Sequence, residues 1–139
     1  MGGSIASILG LPARVRTPAE TAELAHAGLA AAVLDRLKEL YAMTDLQLAQ
    51  SLDISIKTVQ RHRQREGRLA PALSDRVHRL ARAFTQASQV LGGDGAARDW
   101  LRRPQLGLGQ RVPLELLATE AGARDVEDLL GRLEYGVLA

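Results

Sequence analysis

The stretch Thr44 to Arg63, TDLQLAQSLDISIKTVQRHR, constrains this chain most. Leu48, Ala49 and Leu52 recur at helical spacing, and Asp53-Ile54-Ser55 interrupts them. Ser55 can open a second helix, because its hydroxyl can accept a hydrogen bond from an otherwise unpaired first-turn N–H. Val59 lies one turn further on and is placed to pack back onto Leu48 and Leu52. The other face of that helix carries Lys57, Thr58, Gln60, Arg61 and Arg63. Two short helices joined by an apolar face, with a cationic face outward, have the layout of a helix-turn-helix, whose second helix enters the DNA major groove. The expected DNA contacts are Ser55, Lys57, Thr58, Gln60, Arg61 and Arg63. Asp53 stands where such turns most often carry Gly, and Asp tolerates the left-handed conformation better than most residues. The same pattern also fits two amphipathic helices of an ordinary bundle with a solvated basic face.

Such a pair cannot build a core alone, so the flanking residues decide the fold. Aromatics make up only 3% of the chain and apolar residues 46%, with Ala and Leu dominant. That balance predicts an all-α protein. Residues 1–16 contain Gly2, Gly3, Gly10 and Pro12 and read as a loosely docked arm. Thr17-Pro18-Ala19-Glu20 is a capping box that starts a helix reaching about Ala27, where Gly28 ends it. A second helix is predicted over 30–42, burying Val33, Leu34, Leu37, Leu40 and Tyr41. Pro71 to Leu91 reads as a long helix with the stripe Val77, Leu80, Ala81, Phe84, Ala87 and Leu91. Gly92-Gly93 stops it. Asp94 is expected to cap a short helix through Trp100 that Pro104 ends. Gln105 to Val112 reads as a loop, Pro113 starts another short helix, and Gly122 separates that helix from a last one over 123–135, capped by Gly136. The domain reading is an arm (1–16), a helix-turn-helix domain (17–70) and a helical domain (71–139) that also serves dimerisation.

Charge is divided along the chain. Residues 55–82 carry a surplus of six positive charges, and residues 112–139 a surplus of four negative ones. A basic middle suits phosphate, and an acidic end suits a cationic partner or the basic middle of a second copy. The three carboxylates Asp125, Glu127 and Asp128 fall in the first turn of the expected last helix, where they complement its dipole.

Several function classes drop out. The absence of Cys removes disulfides, thiolate metal sites and a Cys nucleophile. His26, His62 and His78 are scattered, so no metal and no cofactor is expected. Gly107-Leu108-Gly109 has no preceding strand and is a turn rather than a dinucleotide site. No Ser or Thr has a His–Asp constellation near it, so the chain is not expected to be an enzyme. No apolar run is long enough to span a membrane, and a cytosolic location is expected.

The second half carries a longer pattern. Ala97-x-x-Trp100-Leu101-x-x-Pro104 is followed by Leu108-Gly109-x-x-x-Pro113-Leu114-Glu115-Leu116-Leu117 and by Thr119-Glu120-Ala121-Gly122. Val126-Glu127-x-Leu129-Leu130-Gly131-Arg132-Leu133-Glu134-Tyr135-Gly136 closes it. These motifs resemble the toxin-binding domain of the Xre/MbcA/ParS antitoxin family, and the helix-turn-helix resembles its Xre part. The resemblance runs from about Leu9 onward. It implies an antitoxin of a type II toxin–antitoxin system whose partner is a RES-domain, NAD-degrading toxin. The C-terminal end would block the toxin's active site, and the helix-turn-helix would bind operator DNA and autoregulate the operon as a homodimer. The implied toxin-binding residues are Trp100, Arg132, Glu134, Tyr135, Gly136, Val137, Leu138 and Ala139. Glu134 or the terminal carboxylate would act there as an anion mimic. The alternative is a stand-alone transcription regulator whose second half only dimerises.

Overall fold

The computed structural model describes residues 5–11, 17–64 and 67–136, and Ala27 without its side chain. Its described residues form α1 (Ile5–Ile8), α2 (Pro18–Ala27), α3 (Val33–Tyr41), α4 (Asp45–Leu52), α5 (Ile56–Arg63), α6 (Pro71–Leu91), α7 (Asp94–Leu101), a 3-10 turn (Leu106–Leu108), α8 (Pro113–Leu116) and α9 (Glu120–Glu134). The protein is all-α. The only extended pairings among the described residues are two isolated bridges, Ala30 with Arg68 and Gln105 with Arg111.

Local chemistry sets most of the boundaries. Thr17 caps α2 by accepting from the Glu20 N–H, and Pro18 occupies the first turn, where its missing N–H costs nothing. α3 begins at Val33, three residues later than the periodicity predicts. The difference has a cause: Leu29 to Ala31 is drawn into extended pairing with the segment after α5. The Leu69 N–H donates to the Leu29 carbonyl at 2.7 Å, and the Ala31 N–H to that of Gly67 at 2.9 Å. Thr44 and Gln47 form a reciprocal capping box on α4.

The long helix α6 is the organising element. α1, α2, α3, α4, α7 and α9 all pack on it. It buries Leu73, Ser74, Val77, Leu80, Ala81, Ala83, Phe84, Thr85 and Ala87, a wider face than its apolar stripe alone. Tyr41 of α3 meets Phe84 edge-on at 5.1 Å between centroids. Its hydroxyl donates to the Leu80 carbonyl at 2.6 Å, which satisfies the polar end of a fully buried ring. The helix that starts at residue 71 therefore serves both the helix-turn-helix group and the C-terminal group.

Four sequence expectations are corrected by the fold. The described part of the arm is docked: Ile8 and Leu9 are buried, and Arg36 Nε holds the Ile8 carbonyl at 3.0 Å. Asp94 does not cap α7; Gly93 occupies that position, and the Asp94 carboxylate accepts from Ser88 Oγ at 2.7 Å. Gly122 does not separate two helices. Thr119 caps α9 through the Gly122 N–H, which places Gly122 inside the first turn. A Cβ there would lie 2.0 Å from the Leu116 carbonyl oxygen, so the glycine is required by the close approach of α8. With α9 starting at Glu120, the carboxylates Asp125, Glu127 and Asp128 fall beyond its first turn, and Glu120 occupies it.

Candidate functional sites

The helix-turn-helix forms as its residues predict. Asp53 closes α4 in the left-handed conformation (φ 55°, ψ 48°), a strain Asp bears more readily than most residues. Ser55 caps α5, accepting from the Thr58 N–H at 3.1 Å, and its hydroxyl meets Thr58 Oγ1 at 2.8 Å. Leu48 and Leu52 of α4 and Val59 of α5 are fully buried in one core. Ser55, Lys57, Gln60 and Arg61 are exposed and Thr58 is half-buried. None of the ion pairs among the described residues involves Lys57 or Arg61. Arg63, expected to act beside them, is held instead. Its Nε lies 2.7 Å from Asp35 Oδ1, and its Nη1 lies 2.8 Å from Asp45 Oδ1.

Beyond α5, the described arginines of the basic middle are engaged within the fold. Arg68 Nη1 donates to the Gly28 carbonyl at 2.7 Å. Arg76 donates to the carbonyls of Leu52 and Asp53 and so braces the turn of the helix-turn-helix. Arg79 donates to the Leu117 carbonyl at 3.0 Å and pairs with Glu120. Arg82 pairs with Glu120 and Glu127. Two cations of the basic middle, Arg79 and Arg82, thus meet two carboxylates of the acidic end, Glu120 and Glu127, across α6 and α9 within a single chain. Two histidines also take structural places. His26 Nδ1 meets Asp75 at 2.8 Å, and His78 is half-buried on α6, where burial and the nearby Arg82 charge lower its pKa against the opposing pull of Asp75 and Glu120.

The second candidate site is the end of α9. Val126, Leu129 and Leu130 are buried, but Arg132, Glu134, Tyr135 and Gly136 are exposed. Tyr135 is 81% exposed, the most of any large apolar or aromatic residue described. Gly136 turns the chain at φ 73°, a conformation that favours glycine. Arg132 lies between two adjoining clefts. One, of about 290 Å³, has Arg111, Asp125 and Asp128 on its walls. The other is bounded by Glu127, Asp128, Gly131 and Tyr135. Val137, Leu138 and Ala139 lie outside the described residues.

Trp100 is placed apart from that end in the packing. It sits half-buried on α7, which packs on α6, α3 and α8. On either side of it, Arg98 and Arg102 reach back to the N-terminal half. Arg98 Nε donates to the Leu40 carbonyl at 2.8 Å, and Arg102 Nη1 donates to those of Tyr41 and Ala42. These are the last carbonyls of α3, which have no partner within the helix and favour a cation. Sequence periodicity alone could not find this bracket, because an arginine on an outer face reads as solvated.

Two family models match the chain. Residues 20–82 match the antitoxin Xre-like helix-turn-helix domain, and residues 86–136 match the antitoxin Xre/MbcA/ParS C-terminal toxin-binding domain. Antitoxin Xre of Yersinia enterocolitica is 36% identical over 113 residues, which covers 81% of this chain and 76% of that protein. Antitoxin Xre of Photorhabdus laumondii is 30% identical over the same coverage, and that of Pseudomonas putida is 30% identical over 109 residues. A chain of the M. tuberculosis MbcT–MbcA toxin–antitoxin complex shares the fold, with a TM-score of 0.56 over 78% of this chain and 96% of that one, at 20% identity. These relatives are antitoxins and not enzymes. The chain belongs to the Xre/MbcA/ParS antitoxin family, with an Xre-like helix-turn-helix domain followed by the family's toxin-binding domain.

Proposed function

We propose that this protein neutralises a RES-domain, NAD-degrading toxin with the end of α9 and the residues after it, and represses its own operon through α5. The observation that carries the first half is the exposed end of α9. Arg132, Glu134 and Tyr135 are exposed at the end of a helix whose earlier turns bury Ala123, Val126, Leu129 and Leu130. A pocket that accepts a dinucleotide diphosphate is cationic, so the Glu134 carboxylate suits it as an anion mimic. The second half is supported by the capped, outward-facing α5 with Lys57, Gln60 and Arg61 exposed. Dimeric binding to operator half-sites about 34 Å apart fits such a motif. The setting is cytosolic, and no helix among the described residues is long and apolar enough to cross a membrane.

The deciding experiment is co-purification with the product of the adjacent reading frame, followed by an NAD-consumption assay with and without this protein. Removal of Tyr135 to Ala139 is expected to abolish protection while leaving operator binding intact. Full protection by the truncated chain would refute the plug. Lys57→Ala and Arg61→Ala are expected to weaken operator binding and leave toxin binding unchanged.

A further inference from the structure

α5 buries a single residue, Val59. One buried contact fixes where a short helix crosses its neighbour and leaves it able to pivot. Its first end is held by the turn, where the Ile54 N–H donates to the Ala49 carbonyl at 3.0 Å and Arg76 braces the Leu52 and Asp53 carbonyls. Its other end is anchored through Arg63. Arg63, one turn beyond Val59, donates from Nε to Asp35 Oδ1 at 2.7 Å and from Nη1 to both Asp45 oxygens at 2.8 and 2.9 Å. Lys38 Nζ meets the same Asp45 carboxylate at 2.7 Å. Asp35 and Lys38 belong to α3, and Asp45 to the first turn of α4, so one guanidinium ties three helices together. The Asp45 and Lys38 side chains are 22% and 23% exposed and that of Arg63 33%, so the pairs on Asp45 are partly withdrawn from solvent, whereas Asp35 is 55% exposed.

We infer that Arg63 is a positioning residue for DNA reading and makes no phosphate contact: the Asp35 and Asp45 carboxylates hold its guanidinium and thereby set the angle at which α5 presents Lys57, Gln60 and Arg61. The inference rests on the DNA reading proposed above. The electrostatics support it. The four groups Asp35, Lys38, Asp45 and Arg63 sum to zero formal charge and offer DNA no net attraction. Pulling the guanidinium toward a phosphate would break charge-assisted hydrogen bonds and leave two carboxylates facing a polyanion.

The salt dependence of binding separates a clamp from a contact, because each phosphate neutralised adds about one unit to the slope of log K against log salt. The probe is a duplex carrying the sequence directly upstream of this reading frame, with the full-length protein. Lys57→Ala is expected to lower the slope by about one unit. Arg63→Ala is expected to leave the slope unchanged and to weaken binding about fivefold at every salt concentration. A loss of slope in Arg63→Ala equal to that of Lys57→Ala would overturn the clamp and make Arg63 a contact. Should Arg63→Ala fail to fold by circular dichroism, Asp35→Asn with Asp45→Asn decides. Releasing the guanidinium is then expected to raise the slope by about one unit, and an unchanged slope overturns the inference. A wild-type protein that binds no duplex even at low salt refutes the DNA reading itself, and the positioning role with it.

Discussion

Gly122 and His78 are single residues whose surroundings set sharp expectations. The contact of Gly122 with the Leu116 carbonyl leaves no room for a methyl group, and backbone cannot yield as a side chain can. Gly122→Ala is expected to destabilise the protein by about 3 kcal/mol in urea unfolding, the upper part of the range for overpacking. Gly131→Ala, on the same helix with nothing within 4 Å of its Cβ position, is expected to stabilise slightly or have no effect. His78 behaves differently because its folded pKa is depressed. The unfolded chain then binds the proton more readily, so stability is complete above the ordinary value of 6.5 and falls as pH drops below it. Melting between about pH 7.5 and pH 5 is expected to show this loss, and His78→Gln to flatten it. Asp45 has a depressed pKa as well, chiefly through its bond to Lys38 and further through Arg63, so its contribution disappears only in the acid range of carboxylates. Sequence reasoning saw neither effect. A glycine before a helical stripe reads equally as a breaker or as a close contact, and a lone histidine carries no sign of its neighbours.

Among the elements, α5 and α6 were the most legible. Ser55 and Asp53 are local chemistry, decided by residues within four positions, and α6 runs from Pro71 to Leu91 as its stripe and its flanking Pro and Gly predict. What periodicity cannot report is the partner across an interface. Arg76, Arg79 and Arg82 lie off the apolar stripe and read as solvated, yet each holds a carbonyl or carboxylate of another element. The junction of α6 and α9 can be measured directly. A double-mutant cycle on Arg82→Ala and Glu127→Gln is expected to give a coupling of about 1 kcal/mol that weakens with salt. No coupling would mean that this ion pair adds nothing to the junction, which then rests on apolar packing and the contacts of Glu120 and Gln86. The N-terminal arm was missed for a related reason: its glycines suggest a loose chain, whereas Ile8 and Leu9 find a groove that only the assembled core creates.

For the whole molecule, the position of the family boundary matters most. The helix-turn-helix match ends at Arg82 and the toxin-binding match begins at Gln86, both inside α6. Arg98 and Arg102 add a second tie, from α7 to the end of α3. The halves are therefore expected to unfold together. Trp100 fluorescence, which reports on the second half, and far-UV circular dichroism, which reports on all helices, should give coincident urea transitions. Separate midpoints would show that the halves are independent. Arg98→Ala with Arg102→Ala is expected to lower the common midpoint without splitting it, since α6 still joins the two.

The uninterrupted α6 also bears on how this protein is turned over. A protease makes its cuts where backbone can be drawn out in an extended form, and the seam between the two family segments offers none, since Ala83, Phe84 and Thr85 are helical and buried. Under the function proposed above, a cut at this seam cannot separate repression from toxin neutralisation. On that reading, each molecule degraded subtracts from both activities in the same event, and the cell reads antitoxin loss as a single quantity.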